Sequence, residues 1–412
     1  MLYSSNIKGL IGVIFSRGKI LEKTIMYVVI ACFFISCTSN KDNMSGGLPV
    51  IDVTKEYKEI NLDVHEIADV EYIPLETTDS SVMWRDFQYV VSDDYVIIDD
   101  TQFIFFFDRK TGKFIRKFGY IGDGPEEYTR NYRLVVDLKT QECFIYDMVK
   151  NNLLVYDFHG KFLRKHSIQK PLAEFACWYL YNYDDDYFIL YSQYPVADMN
   201  YKDKHPFYFL HKRTGEISAI PLEIEHRLTC VIKRGTPLGP IMYPELHSLL
   251  HDREEFLLAD FGQDTLYSFK DRNLKPIAVR TPALKEMDPP IVVAPLSFTE
   301  DYMFFYIVRH EYVPSDPWKP LMEAPHMLWN RKTGEINRIK LYNSDIHAEK
   351  DIEINGGWHH LPPNCGVSRL RPDFLIEQHE KGNLRNELDS IASHMSEDDN
   401  LLLVLYHFKQ KK

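Results

Sequence analysis

The short hairpin "DRKTGKFIRKFG", residues 108–119, is written again and again along the chain. It returns as "DFHGKFLRKHS" at 157, "HKRTGEISAIPL" at 211, "FKDRNLKPIAV" at 269 and "NRKTGEINRIKL" at 330. The turn positions Gly112, Gly160, Gly215, Asn273 and Gly334 lie 48, 55, 58 and 61 residues apart. Gly or Asn at these places supplies the positive φ that a tight hairpin requires. A second signal runs beside the first, an acidic or polar turn followed by an apolar strand. It reads "SDDYVIID" at 92, "TQECFIYD" at 140, "DDDYFILY" at 184, "DREEFLLAD" at 252, "TEDYMFFY" at 299 and "RPDFLIEQ" at 371. A unit of roughly 40 to 60 residues holding several strands is the mark of a β-propeller blade, which cannot bury both faces without neighbours.

The two counts differ by one, and the difference says how the ring closes. Six acidic-turn strands accompany five outer hairpins. A lone strand "DVEYIPLET" (69–77) precedes the first blade and another, "NLLLVLYHF" (400–408), ends the chain. Pairing these two completes a sixth blade with no connecting hairpin. The expected fold is therefore all-β, a six-bladed β-propeller closed by an N-terminal strand on the C-terminal strand. Blades one to five span about 85–119, 131–167, 174–222, 243–280 and 293–341. Blade six holds strands near 352–380 and the C-terminal strand, with 69–77 as its outer edge. One helix interrupts it: Leu384, Leu388 and Ile391 recur at helical spacing after a possible N-cap, Asn383. A two-sheet sandwich or paired β domains is the competing arrangement.

Composition agrees with a large β core. Apolar residues make up 45%, with 25 Phe and 26 Tyr, and aromatic side chains suit a pleated, half-buried surface. A net charge of −12 argues against nucleic acid as partner, because phosphate binding needs a basic surface. Four cysteines, Cys143, Cys177, Cys230 and Cys365, lie far apart with no CxxC, which excludes the usual zinc spacings. They read as buried free thiols.

The first 36 residues read as a removable signal. Lys19 and Lys23 precede the apolar run Ile25–Ile35, too short for a transmembrane helix but suited to a secretory h-region. Ile35-Ser36-Cys37 resembles the lipobox of bacterial lipoproteins, with Phe34 where Leu is more usual. That resemblance implies Cys37 as a lipid anchor; cleavage without lipidation and an uncut signal anchor are the alternatives. The domain layout is then signal 1–36, a flexible tether and lead-in 37–60, and a propeller over 61–412. The protein is expected to be exported and lipid-anchored in the cell envelope, at the outer membrane, touching the bilayer by its anchor alone.

The segments "VEYIPLETT" at 70, "GYIGDGPEEY" at 119, "GQDTLYSF" at 262 and "EDDNLLLVLYHFK" at 397 resemble the six-bladed β-propeller lipoproteins of gut Gram-negative anaerobes. These are related in architecture to NHL-repeat propellers. The resemblance covers roughly residues 50–410, and its motifs are scaffold features, so it implies fold and anchor rather than a reaction.

Candidates for chemistry must lie where loops converge on the channel mouth, before or between the innermost strands. Arg85, Arg130, Arg133, Tyr243, His247 and His359 meet that condition. Arginine there clamps a carboxylate, sulfate or phosphate, while Trp178 and Trp358 offer planes for a sugar face. "GDGPEEY" (122–128) reads either as an anion nest of backbone amides or as a link between blades. It lacks the strand-to-helix setting and the Lys of a nucleotide loop. His247 and His251 lie four apart without an HExxH glutamate, and His359 and His360 are adjacent. The four make one metal site only if blades four and six face each other. Asp99, Asp137, Asp147 and Asp260 stand at strand ends, where acids are ordinary turn residues but also serve glycoside cleavage or Ca²⁺ binding.

No catalytic set is legible, so the sequence leans away from an enzyme and assigns no metal. Its leading reading is a monomeric binding module for a glycan, peptide or envelope protein. A hydrolase or lyase, with a divalent cation such as Ca²⁺, and a structural subunit of an outer-membrane uptake complex remain as alternatives.

Overall fold

A computed structural model describes residues 44–45, 47–84, 88–129, 131–147, 149–169, 177–192, 204–228, 231–236, 239–242, 247–316, 319–347, 351–357 and 359–409. The chain divides into Met1–Gly47 and Leu48–Lys412, and the second unit is the propeller. Its six blades are six antiparallel sheets. Blade one is Gln88–Val91, Tyr95–Asp99, Ile104–Asp108 and Phe114–Phe118; blade two is Asn131–Asp137, Glu142–Asp147, Asn152–Asp157 and Phe162–Ser167. Blade three is Cys177–Asn182, Tyr187–Ser192, Phe207–His211 and Ile217–Ala219. Blade four is Leu249–Asp252, Glu255–Leu258, Thr265–Lys270 and Asn273–Thr281; blade five is Ile291–Phe298, Tyr302–Arg309, His326–Asn330 and Ile336–Tyr342.

Blade six joins the two ends of the propeller. Leu402–Phe408 pairs with Cys365–Leu370 on one side and with Ala68–Pro74 on the other, placing Tyr72 opposite Val404 and Ile73 opposite Leu403. Tyr72 Oη donates to Asp345 at 2.8 Å and accepts from Asn343 at 2.8 Å, locking this outer strand to the loop after blade five.

Each strand alternates its side chains between two neighbouring blades, so both faces are apolar. In blade one, Val90, Ile97 and Phe106 meet Leu134 and Tyr156 of blade two, while Val91, Ile98 and Phe107 meet Val367 and Leu403 of blade six. Separate cores fill the two–three, three–four, four–five and five–six interfaces, for example Val155 with Leu190, Phe209 with Phe256, Leu257 with Phe305, and Phe304 with Val404. Every neighbouring pair has its own core, which closes the circle.

The repeated hairpin does more than turn the chain. Its first residue accepts from the turn's own amides: Asp108 from Thr111, Asn330 from Thr333 and His211 from Thr214. Its second residue reaches back to the preceding blade. Arg109 makes a two-pronged bond to Glu71 of blade six, at 2.6 and 2.7 Å. Lys212 pairs with Asp137 of blade two at 3.0 Å, and Arg331 with Glu255 of blade four at 3.0 Å. In blade two the equivalent residue is Phe158, which packs instead into the core shared with blade one. Gly112, at φ +67°, carries its turn so close to blade six that a Cβ would lie 1.9 Å from the Pro74 carbonyl. The blade-four turn departs from expectation. Positive φ falls on Asp271 and Arg272, and Asn273 opens the outer strand.

The "GDGPEEY" segment is a link between blades. Tyr128 is wholly buried among residues of blades one and two and donates to the Gln102 carbonyl. The Gly124 amide donates to the segment's own Glu127 carboxylate at 2.9 Å, and the Gly122 amide to the Tyr128 carbonyl. The loop satisfies itself.

Two features differ from the sequence reading. The sixth acidic-turn "strand" is a helix, Pro372–Glu380, and a second helix, Asn386–Ala392, follows it, so the last blade carries two helices rather than one. Pro372 sits in the first turn with Asp373, the residues that open a helix, and Leu375 and Gln378 are buried at i, i+3 spacing. The second helix has Arg385 rather than Asn383 at its N-cap; Leu384 and Leu388 are buried, with Ile391 packed beside them. The second difference lies at the N-terminal side. Residues 48–60, expected to be lead-in, already belong to the ring. Leu48–Asp52 pairs in parallel with the outer strand of blade four, and Glu59–Asp63 with that of blade five. Residues 48–74 thus form a strap across the rims of blades four, five and six.

Candidate functional site

On the inner side of blade six no regular strand forms among the described residues; within residues 355–357 and 359–360 isolated bridges form instead. Asn355 bridges Val367 of its own blade, while His360 bridges Val90 of blade one. The Gly356 amide donates to the Leu296 carbonyl of blade five at 2.9 Å, and the His360 amide to the Tyr89 carbonyl at 2.9 Å. Asn364 N donates to Asp252 of blade four at 2.7 Å. One glycine makes this crossing possible. A Cβ on Gly357 would lie 2.3 Å from the His247 ring, so the backbone passes directly over blade four.

Four histidines gather along this segment. His360 has its ring centroid 5.4 Å from that of His251 and 5.2 Å from that of Tyr181 in blade three. His359 stacks on Tyr89 at 4.5 Å, and its Nδ1 accepts from the Tyr89 amide at 3.1 Å. That bond places the proton of the neutral ring on Nε2. His247 shares a 2.8 Å hydrogen bond with the Tyr179 hydroxyl. Burial disfavours the charged imidazolium in all four. It pushes His247 and His359 down to about 3 and His251 to about 4, and His360 is also held well below the ordinary range. All four rings are neutral at physiological pH.

Beside this segment opens a cavity of about 350 Å³. Tyr89 and His359 form one wall; Ser368 and Arg369, at the end of the second strand of blade six, form another. Asp351, Glu353 and Asn355 line the side toward blade five, with Ile352, Val367 and Leu370 as apolar surface. Ser368 Oγ lies 2.7 Å from the Tyr406 hydroxyl, and Arg369 Nη1 donates to the Tyr89 hydroxyl at 3.5 Å. The cavity thus offers carboxylate and amide acceptors, guanidinium and amide donors, and a stacked aromatic wall.

Of the sequence candidates, the structure brings His247 and His359 together beside Gly357. Arg133 is buried elsewhere, in the blade-two inner strand, where its charge and the Asn131 amide act on Asp99. Arg85, Arg130, Tyr243, Trp358 and Cys37 lie outside the described residues, as does the side chain of Trp178. The strand-end acids serve the scaffold: Asp137 holds Lys212, Asp147 accepts the Thr129 amide, and Asp260 accepts from Tyr191 and Arg227. Cys143 and Cys365 are buried free thiols. Among the described residues, no group of three His, Cys, Asp or Glu side chains is arranged to hold a metal ion. Tyr89, Glu353, Ser368 and Arg369 escaped the sequence reading; for Ser368 and Arg369 the turn at 371 was taken as a strand's beginning instead of the end of one.

A family model matches residues 48–407, from the first strand of the strap to the closing strand. The chain belongs to the family DUF4934, a domain of unknown function. The DUF4934 boundaries include the strap, in accord with its pairing to blades four and five. No curated protein sequence matches the chain. Among solved structures it is similar to a Bacteroides fragilis protein described as exported, with a TM-score of 0.60 and 14% identity over 88% of this chain and 100% of that one. A DUF4221 member from Bacteroides vulgatus follows, at TM-score 0.48 and 13% identity, covering 83% and 97%. A Staphylococcus aureus virginiamycin B lyase solved with quinupristin gives TM-score 0.36 and 10% identity, covering 82% and 99%. The first likeness concerns the fold; the other two are too distant to add to it.

Proposed function

We propose that this DUF4934 protein is an exported, lipid-anchored binding module of the outer membrane that takes the end of a glycan chain in the cavity beside Tyr89 and Arg369. The anchor is Cys37, and kinship with NHL-like propeller lipoproteins belongs to the same reading. The basic and apolar N-terminal run and the lipobox-like Ile35-Ser36-Cys37 support export, as does the fold shared with a protein described as exported.

The single observation behind the ligand class is the make-up of the cavity. Among the described lining residues Asp351 and Glu353 outnumber Arg369, which disfavours an anionic ligand or a peptide's terminal carboxylate. Hydroxyl groups both donate and accept, and so match a wall that does both. His359 is neutral at physiological pH and contributes packing and hydrogen bonding rather than an acid proton.

The test is a glycan array probed with the purified chain, followed by calorimetry on the retained glycans. Arg369→Ala and Ser368→Ala are expected to weaken binding about tenfold while each variant remains folded. Retention of no glycan, or cleavage of a retained glycan, contradicts the reading.

A further inference from the structure

The cavity at Arg369 has a neighbour. Its wall of Asp351, Ile352 and Glu353 is also a wall of a second, larger cavity of about 580 Å³. Three pieces of chain build that second space. The strap contributes Glu59; the outer strands of blade five contribute His326, Arg338 and Lys340; and the helix Lys319–Met322, inserted between two strands of blade five, contributes Met322 with Ala324 just beyond it. Both volumes fall in the range of roughly 300–1,000 Å³ of small-molecule sites.

The chemistry continues across the shared wall. Glu59 is bonded to both Arg338 and Lys340, at 3.0 and 3.1 Å, so these charges answer one another at the rim. Glu323 adds a further acid, and among the described lining residues positive charge does not exceed negative. Tyr306 and His326 set their rings 5.2 Å apart along one side. Met322 is 77% exposed over the opening, an apolar side chain left in water where a flat apolar face can cover it. The mixture matches that of the first cavity, an apolar plane among groups that donate and accept.

We propose that this second cavity is an adjoining subsite, which takes the next sugar unit of the same neutral glycan as it passes over the ridge at residues 351–353. The inference rests on the glycan reading of the first cavity and adds that the ligand is an oligosaccharide. Met322 covers a sugar face, and the Glu59–Arg338–Lys340 set receives its hydroxyls.

The experiment measures affinity against length, with mono- to tetrasaccharides of glucose, galactose, mannose and N-acetylglucosamine. In the native chain one series is expected to bind at least tenfold more tightly as the disaccharide or longer than as the monosaccharide. Ala324→Trp, which fills the second cavity, is expected to remove that gain and leave monosaccharide affinity unchanged. Met322→Ser, at an exposed position where folding is not at issue, is expected to reduce the gain at least threefold. Equal affinity at every length, or a gain that survives both substitutions, overturns the subsite and leaves the first cavity's role standing. Failure of all four series to bind overturns both.

Discussion

The four clustered histidines, with His326 of blade five, sit in environments far from water. Burial holds His251 and His326 near 4, and His247 and His359 near 3, against an ordinary value of 6.5. Between those values the unfolded chain binds protons that the folded chain refuses. Their contribution is therefore complete above pH 6.5 and is lost as pH falls towards 4. Asp99 runs the other way, because burial raises it to about 7 and its share of stability declines as pH rises from about 4 to 7. Burial raises the Asp252 carboxyl in the same direction as Asp99, but the histidines outnumber these two carboxylates and decide the sign. Urea unfolding at pH 7.5 and at pH 5 is expected to show a marked loss of stability at the lower pH. His251→Phe keeps the packing against Tyr181 and is expected to reduce that loss by about 2 kcal/mol. An unchanged pH dependence in this variant contradicts the assignment.

At the scale of elements, the blades are stapled by the second residue of the repeated hairpin. Lys212 and Asp137 are nearly sealed from solvent, and removing one partner strands the other's charge. Lys212→Met is expected to cost about 3 kcal/mol in urea unfolding, and adding Asp137→Asn is expected to recover most of it. Arg213→Ala, which breaks the exposed pair with Asp186, is expected to change stability by under about 1 kcal/mol. A loss from Lys212→Met no larger than that from Arg213→Ala contradicts the staple. The hairpins themselves were legible because positive φ at Gly112, Gly160, Gly215 and Gly334 leaves a trace in the residue type. The staple was not, since nothing in "DRKTG" says which blade Arg109 will reach. "RPDFLIEQ" misled for a related reason: a Pro-Asp start followed by three apolar residues serves a strand after a turn as readily as the first turns of a helix. The cavity was hidden more deeply. Tyr89 comes from the inner strand of blade one, Arg369 from a strand of blade six and Glu353 from the loop before it, and only ring closure sets Tyr89 beside the other two.

For the whole molecule, the sequence carried the number of blades and the way the ends meet, but not the strap. Residues 48–63 carry no hairpin repeat, because they add single parallel strands to sheets already built by other parts of the chain. They cover the outer edges of blades four and five, which would otherwise present unpaired backbone groups. The circle is then a single cooperative unit sealed by its two ends. Native-state hydrogen exchange reads this most directly, through the amides paired between Ala68–Pro74 and Leu402–Phe408 and that of His360, which bonds blade one. These are expected to exchange only with global unfolding, at the same free energy as the inner strands of blades two and five. Exchange of the Ala68–Pro74 pairing at a much lower free energy, while the other blades stay protected, would contradict the account.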